Sequence, residues 1–176
     1  MTDTQRIGTS DTIRPHAYDP DTQPEYFAGV LARRFFAFIL DAIIIVVPIV
    51  MLTLFIAIFG LVTFGIGWLL FFLLMPIFVL WAIVYTGATL GSPQSATIGM
   101  RTMGLEMRTW YGSPMYFLLG AVHVIFFWAL VTALTPLILL VGLFNRRRRL
   151  LHDFLTGTIV INNGTRAAGL RRNRGG

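Results

Sequence analysis

Apolar residues form one very long run in the first half of the chain. From Phe35 to Leu90 the only charged residue is Asp41. A single helix of this length would extend about 84 Å, whereas the hydrocarbon core of a bilayer is about 30 Å thick. The run must therefore turn, and the stretch GLVTFGIG at residues 60–67 supplies three glycines where it can do so. This pattern predicts a hairpin of two membrane-spanning helices, at roughly 34–59 and 67–90.

A third apolar run, Met115 to Phe144, is interrupted by Thr135 and Pro136. If it crossed the membrane once, the arginines before it and those at 146–149 would lie on opposite sides. Arginines of short loops normally stay cytoplasmic, which opposes a full crossing. The arm after the proline, 137–144, would be only about 12 Å long as a helix. We therefore expect a broken segment that enters the membrane and returns to the same face, with a full crossing as the alternative.

Two short segments after these runs have the pattern of strands. Leu105–Arg108 alternates apolar and polar residues, and Thr158–Ile161 is rich in β-branched residues. They are expected to pair as a small cytoplasmic β-ribbon. Between them, RLLHDFLT at 149–156 places its leucines and its phenylalanine on one helical face, which predicts a short interfacial helix ended by Gly157. On that interpretation Arg149, His152 and Asp153 form the solvated face.

The composition of the whole chain also indicates a membrane protein. Hydrophobic residues are 56% of the chain, charged residues are 12%, and the mean hydropathy is +0.73, which is too apolar for a soluble domain of this size. The predicted fold class is an all-α integral membrane protein with a two-helix hairpin, a third broken segment and the ribbon. The polar residues 1–26 are expected to be a disordered cytoplasmic tail, and 163–176 a basic disordered tail.

The distribution of charge predicts orientation and partners. All 14 basic residues are arginines, and five of the eight acids lie within the first 25 residues. Keeping the arginines on one side predicts a multi-pass protein of the inner (cytoplasmic) membrane with a cytoplasmic N-terminus. The run Arg146, Arg147, Arg148 and Arg149 is expected to contact anionic lipid headgroups rather than nucleic acid. Besides the lipid bilayer, the expected partners are a second copy of the chain or other membrane proteins.

Asp41 raises the main chemical question, because a carboxylate within a membrane helix is costly and needs a partner or a function. Arg34 lies seven residues earlier on the same helical stripe, but about 10.5 Å away along the axis, which is too far for a direct ion pair. Each side chain is therefore expected to face a third group. For Asp41 that group is either a structural contact between helices or a transported ion or proton, and Arg34 is either a snorkelling anchor or a functional residue.

Three blocks together resemble one family. RRFFAFILD at 33–41, TIGMRTMGLEM at 97–107 and RRLLHDFLTGTIVI at 148–161 are similar to the RDD family of small membrane proteins, over roughly 27–162. That family is named for an arginine and two aspartates, and the resemblance carries these roles to Arg34, Asp41 and Asp153. The family's middle block usually reads Gly-Lys-Arg, and this chain has Met100 in place of the lysine. The resemblance implies a role that is unsettled, with transport proposed and cation/proton antiport assigned to some similar proteins.

From these observations we expect Arg34, Asp41, Arg101, His152 and Asp153 to form one polar cluster at the cytoplasmic side, in which arginines reach Asp41. The protein is expected to be a component of a transport system. The alternative is a non-transporting assembly or scaffold module in which the cluster is structural. No phosphate loop or nucleophile motif supports an enzyme. The histidines are scattered, so neither a metal site nor another cofactor is expected, and His123 is expected to be a buried hydrogen-bonded residue.

Overall fold

A computed structural model describes residues 17–134 and 137–174 of the chain. Helix α1, Val30–Val62, is followed by a 3₁₀ turn, Ile66–Leu70, and by helix α2, Phe71–Leu90. The predicted helical hairpin is confirmed, and its turn begins within the predicted glycine-containing stretch at 60–67 and extends to Leu70. The two prolines of these runs, Pro48 and Pro76, lie inside the helices. We call the end of this hairpin where α1 begins and α2 ends its base.

Glycines make the tip of the hairpin possible. A Cβ atom on Gly60 would lie 1.8 Å from Trp68 Cδ1, so only glycine lets this indole pack on α1. Trp68 Nε1 then donates a hydrogen bond to Ala57 O at 3.2 Å. Gly65 has a φ of +94°, a conformation that favours glycine. The predicted turn therefore has both a steric and a conformational cause.

The third apolar run forms helix α4, Phe117–Leu134, and helix α5, Leu137–Phe144. The predicted bend at Thr135 and Pro136 lies outside the described residues. The two ends of the run can be located from neighbouring glycines. A Cβ on Gly91 would lie 2.7 Å from Phe117 N, and one on Gly142 would lie 3.1 Å from Leu31 Cδ2. Both ends thus lie at the base of the hairpin, which agrees with the predicted return.

The predicted ribbon is also confirmed. Strand β1, Leu105–Thr109, pairs antiparallel with strand β2, Thr158–Asn162, in the register Leu105 with Asn162. A short helix α3, Ile98–Thr102, which was not predicted, leads into β1. Leu105 and Val160 pack with Val30 and Leu90 in the main core cluster, so the ribbon covers the base of the hairpin. The membrane face on which the ribbon lies remains a prediction.

Both terminal segments were predicted to be disordered, and this is wrong for the residues that the structure describes. Residues 164–174 form helix α7, Gly164–Arg174, whose Ala167 is 1% exposed. At the other terminus Pro24–Tyr26 is a 3₁₀ turn that the Asn162 side chain holds by donating to Glu25 O at 2.8 Å. The polar composition of these segments predicts disorder, because composition does not indicate the few specific contacts that order them. Residues 1–16 lie outside the described part.

The long helices expose most of their apolar surface. Two stretches, Pro24–Val62 and Ile66–Leu90, are long and apolar enough to cross a membrane. Large side chains such as Phe55 and Phe72 are 60% and 82% exposed. Buried contacts concentrate at the base, where α3, the ribbon and helix α6, Leu151–Leu155, close over the hairpin.

Candidate polar site at the base of the hairpin

An ion pair joins the start of α1 to α6. Arg34 Nη1 donates to Asp153 Oδ2 at 2.6 Å, and Arg34 Nη2 donates to Asp153 Oδ1 at 2.9 Å. The same carboxylate accepts a bond from the backbone N–H of Leu150 at 2.8 Å, so it also caps its own helix. The Asp153 side chain is fully buried and that of Arg34 is 12% exposed. A bidentate guanidinium and a backbone donor are what a buried carboxylate needs for stability.

The burial of Asp153 corrects the prediction for this helix. The short helix exists as predicted, over Leu151–Leu155, but its polar residues point inward, and Leu150 from the predicted apolar face is buried with them. His152 is 2% exposed and Asp153 is fully buried, while Phe154 and Leu155 are 45% and 57% exposed. The charge of Arg34 makes the inward orientation possible, because it neutralises the carboxylate within the protein. Hydrophobic patterning alone does not report such a partner from a distant helix.

Two imidazoles flank the ion pair. His152 Nε2 lies 3.4 Å from Asp153 Oδ1, and His123 Nε2, on α4, lies 3.9 Å from the same oxygen. His123 Nδ1 is 3.1 Å from Thr156 Oγ1, so the expected buried hydrogen-bonded histidine is confirmed. The contact between His123 and Asp153 is not predicted from the sequence, because the 29 residues between them carry no pattern that indicates it.

Three of these side chains have the donor types of a metal site. One ligand atom each from His123, His152 and Asp153 can be chosen within 4.8 Å of one another. However, Arg34 already occupies both oxygens of Asp153, and a divalent cation there would have to displace the guanidinium. The residues fit an ion pair with flanking imidazoles better than a metal centre. The expected absence of a metal site remains a prediction.

The electrostatics of α6 follow from this burial. Burial lowers the pKa of His152 to about 4, although the neighbouring Asp153 carboxylate opposes the shift. Burial by itself would raise the pKa of Asp153, but the Arg34 guanidinium, the histidines and the hydrogen bonds hold it well below its usual range. At neutral pH the site therefore contains a charged Arg34–Asp153 pair next to a neutral His152 imidazole.

Asp41 occupies a second, separate place on α1. Its Oδ1 accepts bonds from the Tyr85 hydroxyl at 2.6 Å and from the Gly99 N–H at 2.8 Å, and its Oδ2 accepts one from the Thr97 hydroxyl at 2.6 Å. These donors come from α2 and from the start of α3. All three are neutral. Among the described residues, no arginine nitrogen lies within 4.0 Å of the Asp41 carboxylate.

The single cluster predicted from the sequence is therefore wrong. Arg34, His152 and Asp153 come together, as predicted, whereas Asp41 and Arg101 lie apart from them. Arg101 instead closes the end of α2: its Nε donates to Ala96 O at 3.0 Å and its Nη2 donates to Ser92 Oγ at 2.7 Å. The expectation that arginines reach Asp41 failed because hydroxyl and backbone donors, which hydropathy does not report, supply its contacts.

The family comparison agrees with this geometry. A model of the RDD family matches residues 28–157, which is most of the chain. The chain belongs to the RDD family. The searches of curated proteins and of solved structures each found no match. The arginine and the two aspartates that the family resemblance singles out do not form one site in this RDD protein. Arg34 and Asp153 are in contact, and Asp41 lies in a site of its own.

Met100 stands where a lysine is usual in the RDD family. Its side chain is 7% exposed and belongs to the main core cluster with Leu105 and Val160. It makes no contribution of charge to either polar site.

The four arginines predicted to contact lipid headgroups differ in their surroundings. Arg149 is 5% exposed, its Nε donates to Thr158 O at 2.9 Å, and its guanidinium lies over the rings of Trp110 and Phe154. The predicted headgroup contact is therefore wrong for Arg149, because its buried guanidinium joins β2 to α6. Arg146 is exposed and pairs with Asp21 at 3.2 Å. For Arg146, Arg147 and Arg148 the lipid contact remains a prediction.

Proposed function

We propose that this RDD protein is a multi-pass protein of the cytoplasmic membrane, with the base of the hairpin and the ribbon on the cytoplasmic side. Exposure of the apolar helices supports this placement. In the most apolar window of each long helical stretch, only 11% of the residues are buried. The core helix of a soluble protein would be mostly buried, so these faces need another apolar environment. Lipid supplies it.

Within the membrane we propose a role in cation transport, in which Asp41 is the residue that meets the cation. The observation that carries this proposal is the absence of a counter-ion for Asp41 among the described residues. The three groups bonded to it are donors, as an ionised carboxylate requires, and none of them is charged. The residue is also partly exposed. A partly exposed carboxylate without a positive partner attracts a cation or a proton.

A transport pathway needs more helices than one chain offers. The long hairpin supplies two candidate spans, and the third apolar segment begins and ends at the base. We therefore propose that the transporting unit is an oligomer of this chain or a complex with other membrane proteins. Native mass spectrometry of the purified protein in mild detergent measures its stoichiometry.

The test of the transport proposal uses proteoliposomes with purified wild type, Asp41→Asn and the control Glu106→Gln. Glu106 lies on the ribbon and pairs with Arg108 at 3.2 Å, so its replacement removes a carboxylate outside the apolar helices. Sodium or potassium flux driven by a pH gradient is expected in wild type and in the control. It is expected to be lost in Asp41→Asn, while the variant remains folded.

A scaffold role is the second candidate, and the saturation of the polar contacts favours it. Asp153 has both oxygens occupied, and Asp41 ties α1 to α2 and α3 through three bonds. On this hypothesis wild type has no flux, and Asp41→Asn lowers the unfolding midpoint because it weakens those ties. That result would reject transport by the chain itself and leave an assembly function.

A further inference from the structure

A basic pocket lies beside the base of the hairpin, apart from both polar sites. It is an open cavity of about 540 Å³ between the start of α1, the turn from α3 into β1, and one side of α7 from Thr165 to Asn173. Its eleven lining residues include Arg33, Arg101 and Arg166. None of the eleven is an aspartate or a glutamate. The pocket therefore has three positive charges and no negative charge in its lining.

Two of the three arginines, Arg33 and Arg101, are oriented by neutral groups. Arg33 Nη1 donates to Met103 O at 2.6 Å, and Arg101 donates to the Ala96 carbonyl and the Ser92 hydroxyl. Arg166 Nε is buried and has no hydrogen-bond partner among the described residues. Carbonyl and hydroxyl acceptors fix a guanidinium in place but do not neutralise it. The like charges repel one another, and an anion between them would remove that repulsion.

Gly104 brings two of the arginines close together. It has a φ of +68°, and a Cβ atom there would lie 3.3 Å from Arg166 Cδ and 3.9 Å from Arg33 Nη1. The two side chains thus flank a residue that has no side chain of its own. The left-handed conformation, which favours glycine, also turns the chain from α3 into β1. Local backbone geometry therefore creates the opening between the guanidinium groups.

Helix α7 adds its positive end to the pocket. The helix begins at Gly164, and both Asn163 and Thr165 line the cavity. Helix N-termini carry a partial positive charge and favour anions within the first turn. The hydroxyl of Thr165, also in the lining, can donate a hydrogen bond to an acceptor, whereas Thr102 Oγ1 already donates to Gly99 O at 2.7 Å. Charge, dipole and a hydroxyl donor thus converge on one cavity.

We propose that this pocket binds a phosphate group, and that Arg33, Arg101 and Arg166 hold it. Phosphate suits the site because guanidinium groups bind its oxygens in pairs, and its several oxygens can serve more than one arginine. The group belongs either to an anionic phospholipid or to a soluble phosphate. Arg33 lies at the start of the apolar helix α1, where headgroups are found if the chain spans the membrane. The site does not depend on the Asp41 proposal, since its residues and the charge of its ligand are different.

The test compares Arg166→Gln with the matched control Arg172→Gln in the full-length purified protein. Both arginines are on α7, both changes remove one positive charge, and Arg172 is exposed and outside the pocket. One arm titrates inorganic phosphate in neutral detergent at constant ionic strength and follows the unfolding midpoint. The other uses phosphatidylcholine nanodiscs with and without phosphatidylglycerol, and native mass spectrometry counts the phosphatidylglycerol that the released protein retains.

Arg166→Gln is expected to weaken binding of the active probe roughly tenfold, the effect of losing one charge-assisted hydrogen bond, while Arg172→Gln changes it less than twofold. Selective loss in the detergent arm assigns a soluble phosphate, and selective loss in the nanodisc arm assigns a lipid headgroup. Equal losses in the two variants, or no binding of either probe to wild type, would overturn the proposal. If Arg166→Gln does not fold, Arg101→Gln at an exposed lining position is judged by the same criterion.

Discussion

At the scale of single residues, the ion pair between Arg34 and Asp153 is the contact with the largest expected effect. Replacing Arg34 by Gln leaves a fully buried carboxylate without its counter-charge. Breaking a buried pair in this way costs about 3–5 kcal/mol of the free energy of unfolding. Arg146→Gln is the control, since its pair with Asp21 is exposed on both sides and is worth less than about 1 kcal/mol. Denaturant titration in detergent measures both variants, and similar losses would contradict the assigned difference.

His152 makes stability depend on pH in a defined direction. Burial lowers its folded-state pKa to about 4 from the ordinary value of 6.5, so between these two pH values the unfolded chain binds a proton that the folded chain does not. Stability is therefore full above pH 6.5 and falls by about 1.4 kcal/mol per unit as the pH decreases toward 4. His152→Phe keeps a ring beside His123 and Phe127 but cannot titrate.

Unfolding midpoints of wild type and His152→Phe, measured from pH 7.5 to 4.5, test this prediction. The variant is expected to show a smaller decrease over the interval, because one proton-binding group of the unfolded chain is gone. Acids such as Glu25, whose pKa is lowered mainly by its hydrogen bond from Arg171, contribute equally to both proteins. Parallel curves for the two proteins would show that burial of His152 does not control the pH dependence.

At the scale of elements, the packing of α3 on α1 requires a glycine. A Cβ atom on Gly99 would lie 2.2 Å from Ala37 O, a backbone atom that cannot rotate away. Gly99→Ala is therefore expected to cost about 1–3 kcal/mol of stability by overpacking, and to weaken the contact of Asp41 with the Gly99 N–H. Gly164→Ala is the control, since nothing lies within 4 Å of the added atom. Equal unfolding midpoints for the two variants would contradict this packing.

The elements also show where sequence patterns are sufficient and where they are not. The hairpin and the ribbon were predicted because long apolar runs, glycines and β-branched residues report local structure directly. For α6 the pattern correctly predicts a short helix, but it assigns His152 and Asp153 to the solvated face, whereas both are buried. The difference is the bond from Arg34 to Asp153, which spans 119 residues of sequence. A contact of that range is set by tertiary structure, and periodicity within one helix carries no information about it.

Asp41 shows the same limit at a site. Its seven-residue spacing from Arg34 correctly predicts that the two side chains do not pair directly and that each faces a third group. The identity of that group could not be read from charge, because Tyr85, Thr97 and Gly99 belong to apolar or weakly polar stretches. The excess of arginines in the sequence predicts an ion pair for Asp41. Its carboxylate instead accepts hydrogen bonds from one backbone N–H and two hydroxyl groups. Polar sites made from neutral donors are hard to predict from composition.

At the scale of the whole molecule, the two sites, the phosphate pocket and the ribbon all lie toward the base of the hairpin, and the tip is apolar. Phe64 at the tip is 98% exposed, and its neighbours in the turn carry no charge. The arginines from Arg33 to Arg174 belong to the base or to segments that follow it. This polarity of the molecule favours one orientation across a membrane, with the base on the cytoplasmic side.

The orientation can be tested with single cysteines, because the chain has none of its own. Arg172→Cys lies on the exposed part of α7 near the base, and Phe64→Cys lies at the tip. In right-side-out membranes an impermeant thiol reagent is expected to label Phe64→Cys directly, and to label Arg172→Cys only after the membrane is opened. Labelling of Arg172→Cys from outside, with Phe64→Cys protected, would reverse the assigned orientation. Labelling of both from outside in sealed membranes would exclude the membrane-spanning hairpin, because the tip and the base would then share one side.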